Sequence, residues 1–265
     1  MRRLTALLVV CLSLAVVPLQ AADPVVKVQA LAGPLYLLQG QGGNVVASVG
    51  TDGVLLVDDD YARMAEAYAA ALAGLDVQGD PAFVLNTHWH DDHTGGNAYW
   101  GERGAVIVAH ANVRKRMSER QDVKALNRIV EPAPPVARPV VTYGDSMALY
   151  FNETDIELNH HSAGNTDGDT VVYFLQHNTV HMGDLFFRDR FPFIDVSSGG
   201  SVAGYLAALD AVIARIDGDT LVVPGDGALA RKRAALADGV TLYDAILPDL
   251  EPIARELGVP MPTPL

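Results

Sequence analysis

The stretch Thr87-His88-Trp89-His90-Asp91-Asp92-His93-Thr94-Gly95-Gly96-Asn97 packs three histidines and two aspartates into consecutive turns of chain. Imidazoles and carboxylates lose hydration on burial, so a fold that gathers them needs a compensating cation. His and Asp are ligands suited to zinc and related divalent ions. His88 and His90, two residues apart, share one side of an extended segment, and both can face one ion. Asp92 and His93 follow where the chain turns and can reach a second ion, whereas Asp91 reads as an ordinary polar turn residue. Gly95-Gly96 then lets the backbone pass close by before a short helix.

These side chains need elements to position them. The apolar run Ala82-Phe83-Val84-Leu85 reads as the buried strand that delivers the cluster. Upstream, β-like runs over 25–30, 35–39, 44–49 and 54–57 are divided by Gly33-Pro34, Gly40-Gln41-Gly42-Gly43 and Asp52-Gly53. The glycine-rich one of these reads as a hairpin turn. An alanine-rich helix is expected over 61–75 and a strand over 106–109. The charged segment 111–130 is expected to be mostly helical and to end at Pro132-Ala133-Pro134-Pro135, with 117–138 walling or covering the site. The second half offers strands over 140–143, 147–151, 154–159, 171–175, 179–182 and 220–223, a helix over 202–216, and helices beyond. Two such halves predict an α/β fold in which two sheets pack together with helices outside, in a single domain over 22–265.

Composition narrows the partners. The chain has 265 residues, 49% of them hydrophobic, enough for one sizeable core. Residues 1–21 carry Arg2-Arg3, an apolar run from Leu7 to Val17 and the small-residue end Leu19-Gln20-Ala21, the pattern of a removable signal peptide. A periplasmic or secreted protein is therefore expected, with no membrane association after cleavage. Cys11, the single cysteine, falls inside that segment. The formal charge of −13 becomes −15 without Arg2 and Arg3, which argues against nucleic acid and leaves a small-molecule substrate as the expected partner. No Gly-x-Ser-x-Gly elbow and no phosphate-binding glycine loop with a following lysine is present, so serine-hydrolase and nucleotide chemistry have no support.

The segment His88-Trp89-His90-Asp91-Asp92-His93 resembles the H-x-H-x-D-H signature of the metallo-β-lactamase superfamily. The resemblance extends over Val54-Leu55-Leu56-Val57-Asp58, Gly164-Asn165-Thr166-Asp167-Gly168-Asp169, His181-Met182-Gly183-Asp184 and Val223-Pro224-Gly225-Asp226-Gly227, in the family's order. Phe191-Pro192-Phe193-Ile194-Asp195 with Ser198-Gly199-Gly200-Ser201 is similar to the exported bacterial β-lactamase-like hydrolases. The resemblance implies a four-layer αββα sandwich with one or two Zn²⁺ ions at one edge of the sheets. His88 and His90 would bind the first ion, Asp92 and His93 the second, and Asp184 would bridge both. The implied reaction is attack of a metal-bound hydroxide on an amide, lactam, lactone or ester carbonyl, with Asp92 also orienting or deprotonating the water.

Two positions depart from the family pattern. Asn165 and Asp226 stand where the family usually has histidine. A neutral, short amide should hold zinc less tightly than imidazole, and Asp226 makes the second ligand set richer in oxygen, which favours Mn²⁺, Fe²⁺ or Mg²⁺ relative to zinc. His160 or His161 could supply the missing imidazole, though adjacent residues on a strand face opposite ways and at most one can turn inward. His181 is expected to pack near Asp184, and His110 and His177 to stand apart. Two other readings are carried beside the hydrolase: a degenerate, non-catalytic metal-binding accessory protein, and an iron-dependent redox enzyme on the same scaffold.

Overall fold

A computed structural model of the chain describes residues 24–75, 79–188, 191–225 and 255. The expected signal peptide, Asp226 and the helices expected beyond it lie outside the described residues, Arg255 apart.

Strands β1 (Lys27–Ala30), β2 (Leu35–Gln39), β3 (Val45–Gly50) and β4 (Gly53–Val57) form an antiparallel meander. After helix α1 (Ala65–Ala73), strand β5 (Phe83–Asn86) joins β4 in parallel. Two short helices, α2 (Asp91–Thr94) and α3 (Asn97–Gly101), lead to β6 (Val106–His110), again parallel, and then to α4 (Ala111–Ser118). A small hairpin of β7 (Gln121–Val123) and β8 (Arg128–Val130) precedes β9 (Val141–Tyr143), which closes a seven-stranded sheet beside β6. The second sheet has five strands: β10 (Ser146–Phe151), β11 (Thr154–His160), β12 (Thr170–Phe174), β13 (Thr179–His181) and, after α5 (Val202–Ile213), β14 (Leu221–Val223), parallel to β13.

The layering follows from which face each strand makes apolar. Leu35, Val46, Leu55, Val57, Leu85 and Val108 point from the first sheet into Ile156, Leu158, Val172 and Phe174 of the second. The alternate residues of the first sheet, among them Leu38, Val45, Ala47, Leu56 and Val84, meet Met64, Tyr68 and Leu72 of the α1 region and Trp100 of α3. On the far face of the second sheet, Val171, Tyr173 and Val180 pack on Tyr205, Ala208 and Val212 of α5. Period-two alternation on the strands thus supplies two buried faces per sheet, and the result is the expected αββα sandwich.

One element differs from expectation. The helix expected over 111–130 stops at Ser118, and the remainder is the β7–β8 hairpin. Gln121 closes the helix end, its side-chain amide donating to the carbonyls of Arg116 and Glu119. Asn127, in the left-handed region at φ 47°, turns the hairpin. Many charges at helix-compatible spacing masked a segment whose shape is set by what it packs against. Among the described residues no helix is long and apolar enough to cross a membrane.

Parallel pairing decides where the chemistry collects. Because β4 and β5 run together, Asp58 and Thr87-His88 emerge side by side, with the Asp58 amide on the Leu85 carbonyl at 2.8 Å. Because β13 and β14 run together, Gly183-Asp184 and Gly225 emerge side by side, and Asn44 N donates to Gly225 O at 2.8 Å across the two sheets. Strand carboxyl ends from both halves therefore open on one edge.

Candidate metal centre

His88, His90, His93 and Asp184 come together at that edge, each of them buried. His88 Nε2 lies 3.1 Å from His90 Nδ1 and 3.8 Å from Asp184 Oδ2. His93 Nε2 lies 3.2 Å from Asp184 Oδ1. The two oxygens of one carboxylate are thus divided between two histidine groups. Asp92 stands at the margin, its Oδ2 3.8 Å from His93 Nε2 and its side chain 20% exposed.

Outer oxygens set which nitrogen each imidazole turns inward. Asp58 Oδ2 takes the Nδ1 proton of His93 at 2.7 Å. Thr87 donates its hydroxyl to Asp58 at 2.8 Å, so that hydroxyl oxygen is left to accept from His88 Nδ1 at 3.1 Å. Asp195 Oδ2 takes the Nε2 proton of His90 at 3.2 Å, and the carboxylate is itself held by the hydroxyls of Ser197 on Oδ1 and Ser198 on Oδ2. His88 Nε2, His90 Nδ1 and His93 Nε2 are then bare and converge on Asp184. This is the pattern in which carboxylates and other outer partners fix metal-ligating imidazoles.

Bare lone pairs at such distances repel unless a proton or a metal cation lies among them. Two nitrogens on one tetrahedral zinc, each about 2.0–2.1 Å from it, would sit about 3.3 Å apart, close to the spacing found between His88 and His90. His93 Nε2 and Asp184 Oδ1, though near each other, make no hydrogen bond and have no other partner. The donor set therefore fits one or two divalent ions. Burial lowers the His88 pKa well below the usual imidazole value, and neighbouring His93 adds to that. At His93 burial pulls the same way but is overcome by Asp184, Asp58 and Asp92, which raise its pKa well above normal, so that without a cation a proton takes the place on Nε2 that a bound ion would fill. Burial would raise Asp184; the His93 charge outweighs it and holds the carboxyl below its usual range.

Two glycines allow the close approach. Gly183 adopts φ +51°, and a Cβ there would come within 2.6 Å of Thr87 Oγ1, so only glycine brings Asp184 up to the histidines. A Cβ at Gly43 would collide with the His93 ring, while the Gly43 amide donates to Asp92 O at 2.9 Å. The expected hairpin turn is thus also the cover of the cluster.

The second-half positions divide. Asn165 is fully buried with both side-chain amide atoms unpartnered, and its backbone carbonyl accepts from the backbone N of Asp195 at 2.9 Å, the same residue whose carboxylate holds His90. Asp226 follows Gly225, the last residue described before it. His160 does not enter the centre: its Nδ1 donates to Asp169 O at 2.9 Å and its ring stacks on His110 at 3.6 Å and 7°. His161 does not join the group of His88, His90 and Asp184 either. His110 is therefore not isolated, contrary to expectation; its Nδ1 caps α4 through Asn112 N. His181 packs beneath Asp184 as expected, donating to Asn44 O at 3.0 Å and accepting from Gly183 N at 3.1 Å. His177 lies away from the centre, bonded to Thr154.

In the sequence Asp58 and Asp195 stand only as parts of motifs, with nothing local to assign them the task of holding histidines. The run Asp58-Asp59-Asp60 at the end of an apolar strand was the available signal, since three consecutive carboxylates are rarely all buried.

Comparison with known proteins agrees with this geometry. The family profile described as Metallo-beta-lactamase superfamily matches residues 37–233. The chain is 28% identical over 141 residues to the probable metallo-hydrolase YybB of Bacillus subtilis (strain 168), covering 52% of this chain and 60% of that protein. It is 30% identical over 143 residues to a hydroxyacylglutathione hydrolase of Polaromonas sp. (strain JS666 / ATCC BAA-500), covering 54% of this chain and 47% of that protein. The match thus spans about half the length of these curated relatives. Among solved structures, a subclass B3 metallo-beta-lactamase of Bradyrhizobium japonicum superposes with a TM-score of 0.61 at 18% identity, over 86% of this chain and 87% of that one. A metallo-beta-lactamase from Pontibacter korlensis gives 0.60 at 16% identity, over 80% and 99%. At these identities the structures speak to the fold.

Proposed function

The chain belongs to the metallo-beta-lactamase superfamily, and from that premise we propose that it is an exported metal-dependent hydrolase acting on an amide, lactam, lactone or ester carbonyl. One observation carries the reading: three buried imidazoles have their protonated nitrogens tied outward and their bare nitrogens turned on a shared carboxylate.

The chemistry a bound divalent cation supplies is Lewis acidity and deprotonation of water near neutral pH. His88 and His90 would hold the first ion, His93 and Asp92 the second, and Asp184 would offer one oxygen to each. Asn165 and Asp226 complete the proposed ligand set. Asp92, the only one of the described carboxylates in the cluster open to solvent, orients the attacking water or takes its proton. Zinc suits the imidazoles; Asn165 and Asp226 widen the choice to Mn²⁺ or Fe²⁺. The N-terminal pattern supports periplasmic or secreted localisation, and the acidic charge supports a small-molecule substrate.

The test is to purify the mature protein, measure its metal content, and assay a chromogenic cephalosporin and simple lactones with zinc, manganese or iron added. Turnover that follows one metal supports the proposal. Asn165 favours a second reading, a degenerate metal-binding protein without catalysis. Folded protein that stays metal-free and inactive under every addition would establish that reading and remove the first.

A further inference from the structure

The loop that holds His90 has a second face. Ile194, Asp195, Val196 and Ser197 form one wall of a cleft of about 290 Å³ whose other wall is Lys124 and Ala125, at the tip of the β7–β8 hairpin. That volume is near the lower end of small-molecule sites, roughly 300 Å³. Asp195 lines this cleft and bonds His90, and Phe193 brings its ring to 5.8 Å from the His90 ring. The cleft is therefore next to the candidate metal centre.

Its chemistry is unusual for this molecule. Val196 exposes a large apolar side chain on its wall, and Leu126 and Phe191, close along the chain on the same two segments, are exposed as well. In a chain of charge −13 the hairpin region is basic, yet most of its cations are spent locally. Arg116 pairs with Asp167 at 2.7 Å, Arg128 with Asp91 at 2.6 Å, and Arg120 with Glu131 at 3.4 Å. Lys124 has no ion-pair partner among the described residues. The hairpin that carries it is anchored, since Arg128 grips both oxygens of Asp91, next to Asp92.

We infer that this cleft is a substrate subsite that takes an apolar small molecule bearing an anionic group, with the anion on Lys124 and the apolar body against Ile194 and Val196. The role as a substrate subsite rests on the proposed hydrolase reading; ligand binding in the cleft does not. An exposed ammonium attracts a carboxylate or sulfonate only modestly through water, so Lys124 selects by charge while the apolar wall contributes most of the affinity.

The test uses a matched pair of fluorescent probes on the full-length protein without added metal: 8-anilinonaphthalene-1-sulfonate and its neutral counterpart N-phenyl-1-naphthylamine. Lys124→Glu should weaken the sulfonate about fivefold or more while moving the neutral probe less than about twofold. Lys124→Arg should restore the sulfonate to near wild type. Val196→Asp, at a position already 74% exposed and so without expected cost to folding, should weaken both probes. Equal sulfonate affinity in wild type and Lys124→Glu, or equal losses for both probes, would overturn the inference. The measurement needs neither metal nor turnover, so its failure is distinguishable from failure of the hydrolase reading.

Discussion

His93 and His90 are each held by a carboxylate, but the two arms of the centre are built differently. His93 is fully buried, and its partner Asp58 ends strand β4 with no exposed surface. Asp58 also accepts from the Thr87 amide at 2.7 Å, so the arm is tied to two neighbouring strands of the first sheet. His90 is 8% exposed, and its partner Asp195 comes from an irregular loop through a longer bond of 3.2 Å. Burial would raise Asp195, but hydrogen bonds from His90, Ser197 and Ser198 prevail and hold its pKa down to about 2. The first arm is as rigid as the sheet it belongs to. The second shares its support with the wall of a ligand cleft, so ligand orientation and substrate binding meet at Asp195.

Removing what joins the arms should have the largest effect. Asp184→Ala should abolish hydrolysis and lower metal stoichiometry, exceeding the roughly 10–100-fold loss expected for an outer partner; unchanged turnover would mean the arms do not share an ion. Asp58→Ala comes next. It leaves His93 Nδ1 and the Thr87 amide and hydroxyl buried without their acceptor, and urea unfolding at pH 7 should show a loss of about 3–5 kcal/mol. A loss under about 1 kcal/mol would erase the distinction between core arm and loop arm.

Asp195→Ala should cost about 10–100-fold in metal affinity, read by competition with a chelator, with a smaller change in stability. Because the Asp195 pKa is depressed on folding, its contribution is present above the unfolded carboxylate value and lost as pH falls toward 2. Metal-free wild type should therefore lose about 2 kcal/mol more than Asp195→Asn between pH 5 and pH 2. Parallel acid profiles would show that His90 is not held this way. Asn165→His should raise zinc affinity, and a fall would show that Asn165 does not face the ion. Arg128→Ala, removing an ion pair on the exposed hairpin, should change stability by less than about 1 kcal/mol.

Much of this was legible in the chain. The strand Phe83–Asn86 and the spacing of His88 and His90 placed two imidazoles on one side because extended backbone repeats every two residues. The β7–β8 hairpin was not legible, since its charged residues suit a helix as well and its ends are fixed by Gln121 and by Arg128 on Asp91. Nor was the pairing of His110 with His160, which joins the start of α4 to the end of β11. Asn165 could be flagged from its type, but its buried and unpartnered amide could not.

By itself the sequence determined the residue types at the edge, the two-sheet architecture and the family, because these follow from local periodicity and from ligand chemistry within short segments. Which nitrogen of each imidazole faces inward, which carboxylate holds it, and that Lys124 stands across a cleft from Asp195 with no ion pair among the described residues were decided by the tertiary structure alone. The physical reason is distance along the chain. Asp58 and His93, or His90 and Asp195, meet only once parallel strands and the loop between β13 and α5 bring them together, and neither member of a pair carries a local signal of the other.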